Sequence, residues 1–127
     1  MPGTYGTILQ TLRHLIDCEM NLLYRLLGRE AALPWQPWNP NETTQFDVLT
    51  ARAALLTPAW EEFLASDVDD ERPLPPDEGD SPIPAGIIIA VVLYHGNEHR
   101  AHICTTLGAL GHPPPDITPW AYARTRL

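Results

Sequence analysis

A chain of 127 residues can bury one hydrophobic core but not two. Sixteen acidic residues against eight basic ones give a net charge of −8. That balance lacks the electrostatic footprint of a nucleic-acid binder and disfavours an anionic membrane surface. Hydrophobic residues make up 44% of the chain, which fits a packed globule rather than a disordered segment. The two cysteines, Cys18 and Cys104, form no C-x-x-C pair and read as buried thiols rather than a disulfide framework. The N-terminal residues lack a basic stretch followed by an apolar one, and the longest apolar run, Ile87 to Tyr94, is far too short for a bilayer. A cytoplasmic protein is expected.

Thr7 with Gln10 has the form of a capping box and opens a helix expected over about residues 5–28. Leu12, Leu15, Leu22, Leu23 and Leu26 recur along it at helical steps, and Gly28 is a natural stop. The segment Leu33 to Pro40 carries three prolines and is expected to be an extended loop, with Trp35 and Trp38 folding back as a lid. A second helix is expected from near Thr44 to about Ala65, with Leu49, Ala53, Leu56, Trp60 and Phe63 on one side and a kink or break at Pro58. Residues 67–82 are acidic and proline-rich without the spacing of a calcium loop, and read as a solvated linker. The isoleucine-rich segment from Pro84 has a strand-like composition, but its pattern continues without a breaker to Leu110 and Gly111, so a long helix is expected. Ile117 to Arg124 reads as a last short helical turn.

The long third helix carries the strongest chemical signal. Ile88, Val92, His95, His99, Ile103, Thr106 and Leu110 fall on one stripe at alternating four- and three-residue steps. Two histidines therefore sit at the centre of an otherwise aliphatic face, and His102 lies close to it. A buried imidazole needs partners for its nitrogens. Two of them one turn apart can converge on one ion, or else hydrogen-bond to neighbouring helices. On the first helix His14 lies beside the leucine stripe, on a flank shared with Thr11, Cys18 and Asn21, and is either a further ligand or a surface histidine. Cys18, one turn on, leaves a thiolate ligand open. Glu19 falls at the centre of the apolar arc, where a carboxylate pairs with an arginine, orients a ligating imidazole or acts as a general base. Cys104 points away from the histidines, and His112 reads as a loop residue.

The stretch Thr11-Leu12-Arg13-His14-Leu15 through Glu19, with Tyr94-His95-Gly96-Asn97-Glu98-His99-Arg100-Ala101-His102-Ile103, resembles the DinB-like superfamily. The tail Leu107-Gly108-Ala109-Leu110-Gly111, followed by prolines, an aspartate and Trp120-Ala121-Tyr122, also fits. The resemblance implies an all-α helical bundle and one divalent metal ion, zinc or nickel, held by His14, His95 and His99. It further implies a metalloenzyme acting on small molecules. One version is an S-transferase or isomerase that uses a low-molecular-weight thiol, and another is a hydrolase. Glu19 or His102 would accept a proton or orient a ligand. Trp35, Trp38, Trp60 and Trp120 point to hydrophobic or aromatic substrates. His102 replaces a usual glutamine, so a fourth nitrogen would close the site and make it structural. The competing reading is a non-catalytic stress or assembly protein whose ion pins the helices. The family's first helix has no counterpart, which predicts an uncovered apolar groove closed by homodimerisation, or a start site placed too late.

Overall fold

The computed structural model describes residues 6–28, 44–76 and 81–126. Its order is α1 (Ile8–Leu27), α2 (Phe46–Ala65), β1 (Pro73–Leu74), β2 (Ile83–Pro84), α3 (Ala85–Ala109) and α4 (Pro119–Arg124). The chain is thus an all-α helical fold with one small antiparallel strand pair. The expected tryptophan lid, Trp35 and Trp38, lies outside the described residues.

The capping box forms as the sequence predicts. Gln10 N donates to Thr7 Oγ1 at 3.1 Å, and Thr7 N donates back to Gln10 Oε1 at 2.8 Å, satisfying two backbone donors at the start of α1. At its other end Gly28 adopts φ +67°, the left-handed turn that stops a helix at little cost without a Cβ. Between these caps Leu15, Ile16, Met20, Leu23 and Leu26 are buried. They meet Leu49, Leu56 and Phe63 of α2, which recur every seven residues and so share one side of that helix. The break expected at Pro58 does not occur, and α2 runs on through it. Pro58 and Ala54, whose carbonyl loses its helical partner, are both exposed, so water can serve that oxygen.

α1 is the shared helix. α2 runs alongside it in the same direction, with Arg13 donating to Thr44 Oγ1 near one end and Leu26, Leu27 and Phe63 gathered at the other. α3 runs antiparallel to α1, Ala85 lying near Leu26 and His95 beside His14. α2 and α3 both pack on α1 and scarcely touch each other. Between them lies a groove of about 370 Å³ lined by Glu19, Trp60, Leu64, Ile89, Val92 and Leu93. Leu64 and Leu93 are 69% and 66% exposed. Among the described residues no helix is long and apolar enough to cross a membrane.

The acidic segment is anchored more firmly than a solvated linker. Leu74 is only 1% exposed, and β1 pairs with β2 through Pro73–Pro84 and Leu74–Ile83. Arg72 donates to Leu26 O and Arg25 to Pro75 O, so two guanidiniums tie the segment to the carbonyl end of α1. Gly86 N donates to Asp70 O at 2.7 Å, and a Cβ on Gly86 would stand 3.2 Å from that oxygen, which explains a glycine there. These contacts set the height at which α3 starts, and hence which of its turns faces His14.

Candidate metal centre

His14 is carried on α1, and His95 and His99 are one turn apart on α3. His14 Nε2 lies 3.1 Å from His95 Nε2, and His99 Nε2 lies 3.0 Å from the same atom. The ring centroids are 4.4 to 5.0 Å apart and the planes cross at 66°, 85° and 78°, like three blades about a common hub. His99 is buried at 8% exposure, while His14 and His95 are half-buried.

The arrangement fits a cation. A ring nitrogen has a single position in its plane, holding either a proton or a lone pair. His95 Nε2 therefore serves one of its two neighbours by a hydrogen bond, whereas a cation bound to it can be shared with a neighbouring nitrogen. Two nitrogens each about 2.1 Å from an ion stand ~3.0 Å apart at a right angle and ~3.4 Å apart at a tetrahedral one, so the observed spacings lie close to the right-angled pair. Burial lowers the pKa of His14, the adjacent His95 adds to this, and Asp17 opposes it. Burial also lowers that of His99, followed by the neighbouring His95 and His14. Both shifts favour the neutral ring, the form that offers a lone pair.

Cys18 belongs to the same cluster. Its Sγ lies 3.6 Å from His14 Nδ1 and 3.8 Å from His14 Nε2. Ligand atoms of His14, Cys18 and His95 lie within 4.8 Å of one another, a group that can hold a metal ion. Burial raises the Cys18 thiol pKa, with Asp17 adding to the shift.

The other two residues singled out from sequence lie elsewhere. Glu19 accepts a 2.8 Å hydrogen bond from Trp60 Nε1 and lines the α2–α3 groove, and no hydrogen bond joins it to a histidine. The pairing was invisible in the sequence, where Glu19 in the apolar arc of α1 stood out but Trp60 was read only as part of the apolar side of α2. The His102 ring centroid is 6.0 Å from that of His99, beside the cluster rather than at its hub. Its Nδ1 is buried and has no hydrogen-bond partner among the described residues. Trp120 is 75% exposed on α4.

A helical fold whose central helix and last long helix bring histidines together defines a class of small bundle proteins with a candidate ion site. A family model of the DinB superfamily matches residues 2–103, and the chain belongs to that superfamily. The match spans α1 to most of α3 and includes His14, Cys18, His95, His99 and His102. No curated protein and no solved structure matches the chain.

Proposed function

We propose that this protein binds one divalent metal ion through His14, His95 and His99 and uses it in small-molecule chemistry, with a low-molecular-weight thiol as co-substrate in an S-transfer or isomerisation. The observation that carries the reading is that His14 Nε2, from one helix, and His99 Nε2, from the other, each stand within 3.1 Å of His95 Nε2. A bound ion would supply Lewis acidity, holding a thiol sulfur as thiolate or polarising a substrate oxygen. The chain's own residues supply the rest. Beside His14 opens a cleft of about 740 Å³ lined also by Gln10, Arg13, Asp17 and Thr44, a size suited to a small polar molecule. Arg13, which donates to Thr44 Oγ1 at 2.7 Å, also lines this cleft. Zinc and nickel both suit such ligands, and the reaction is consistent with a cytoplasmic location.

The second reading, a structural ion in a non-catalytic bundle, draws on His102, whose buried Nδ1 lies next to the cluster. Metal content of untagged protein separates the two. About one ion per chain that is lost in His99→Ala but retained in His102→Ala supports the open site and justifies thiol-transfer assays. Loss in both variants supports the structural site. A wild-type protein that takes up no metal on titration refutes both. The proposal includes a second copy covering the α2–α3 groove across Leu64 and Leu93, and light scattering of the purified chain reports that state.

A further inference from the structure

We infer that the groove between α2 and α3 binds a small zwitterion with an apolar body, in chemical terms a hydrophobic amino acid. The inference does not depend on the metal reading above. Two side chains of opposite charge line a pocket that is otherwise apolar, and they form no ion pair with each other. Glu19 contributes a carboxylate whose Oε1 accepts from Trp60 Nε1 at 2.8 Å, which fixes the group and leaves Oε2 for a second donor. Arg100 contributes a guanidinium with no carboxylate partner among the described residues.

Gly96 gives that guanidinium a seat. A Cβ at this position would stand 2.7 Å from Arg100 Nη2 and 3.1 Å from its Cζ, so the planar group lies against bare backbone one turn before its own residue. Gly96 is buried inside α3, where glycine is disfavoured relative to alanine. Seating Arg100 is a physical reason for it to be there. From this turn the pocket extends along α3 to Ile89, ~10 Å at the helical rise. Half-buried Trp60, Ile89 and Val92 form its floor, and exposed Leu64 and Leu93 form its rim. Its volume of about 370 Å³ falls at the lower end of the roughly 300–1,000 Å³ of small-ligand pockets. An amino acid answers each feature, with its carboxylate on Arg100, its ammonium on Glu19 and its side chain against the indole and Ile89. An apolar acid would be opposed by Glu19, and an apolar amine by Arg100. The second copy proposed above would rest on the rim and roof the pocket.

Calorimetric titration of the full chain with leucine, phenylalanine and tryptophan tests this. At least one should bind saturably. For phenylalanine, the analogues 3-phenylpropionate and phenylethylamine, each lacking one charge, should bind about ten- to a hundredfold more weakly. Arg100→Gln and Glu19→Gln should weaken the amino acid by a similar factor, the latter still offering Trp60 an acceptor. Gly96→Ala separates binding from folding. Its melting temperature should hold or rise with the better helix former, while the displaced guanidinium lowers affinity. Affinity unchanged in Arg100→Gln and Gly96→Ala overturns the inference, as does equal binding of an amino acid and its singly charged analogues. Failure of all three amino acids to bind also overturns it and leaves the metal reading standing.

Discussion

His95 is the hub of the cluster, because its Nε2 is the atom that both other nitrogens face, at 3.1 and 3.0 Å. Replacing it with alanine should therefore damage ion binding far more than folding. Structural zinc sites bind with about 10–16 kcal/mol, so one ligand of four accounts for ~2.5–4 kcal/mol, or roughly 10²–10³-fold in affinity. The loss is readable as heat stability. At an ion concentration about 100-fold above its dissociation constant, the wild type gains ~2.7 kcal/mol. For a domain of this size that corresponds to roughly 8–14 °C in melting temperature. In His95→Ala the same concentration only matches the weakened dissociation constant, so the gain falls to ~0.4 kcal/mol, about 1–2 °C. Differential scanning calorimetry with and without zinc or nickel measures both. The metal-free proteins should melt close together, since His95 is half-buried and leaves the apolar core intact. Equal metal-induced shifts in the two proteins would refute the assignment of His95 as a ligand.

The metal-free protein should lose stability as pH falls below about 6.5, where the unfolded chain's histidines take up protons that His14 and His99 resist in the fold. The raised Cys18 thiol acts in the opposite sense, its contribution being present below its ordinary value of 9.0 and lost as pH rises beyond; urea midpoints from pH 5 to 10 should trace a plateau between the two limits. Leu74→Ala should cost about 2–5 kcal/mol by urea denaturation, against almost nothing for a residue of a solvated linker. Trp60→Phe removes the indole donor to Glu19 and should cost about 1–2 kcal/mol, and a double-mutant cycle with Glu19→Gln should show the coupling between them. Gly108→Ala meets open space inside α3 and should stabilise by ~0.5–1 kcal/mol, whereas Gly111→Ala, at φ +79°, should destabilise by about 1 kcal/mol or more; thermal melts of the pair would give opposite signs.

The sequence made α1 and α3 legible because their signals are long and redundant. Thr7, Gln10 and Gly28 mark the ends of α1 by chemistry that needs no tertiary partner. The stripe holding Ile88, Val92, His95 and His99 repeats often enough along α3 to outweigh its strand-like composition. It also placed three imidazoles in two helices, but their distances depend on how α1 packs against α3, which no local pattern specifies. The anchored segment was illegible for a related reason. Pro73–Leu74 and Ile83–Pro84 are two-residue strands, too short for any periodicity, and their pairing is set by Arg72, Asp70 and Gly86 across the fold. Pro58 misled because its cost depends on whether the stranded carbonyl faces water, a fact of packing. Glu19 stood out as a carboxylate in an apolar arc, yet the partner that explains it lies on another helix.

The donors of the cluster are far apart in time as well as in sequence. His14 and His95 are separated by 81 positions. At about 5–20 residues per second on the ribosome, ~4–16 s pass between the synthesis of the first donor and the second. Throughout that interval His14 travels on a helix whose partner has not been made, and a single imidazole cannot hold an ion on its own. An ion held between α1 and α3 is therefore a late arrival relative to α1, taken up only once α3 has been made and has docked.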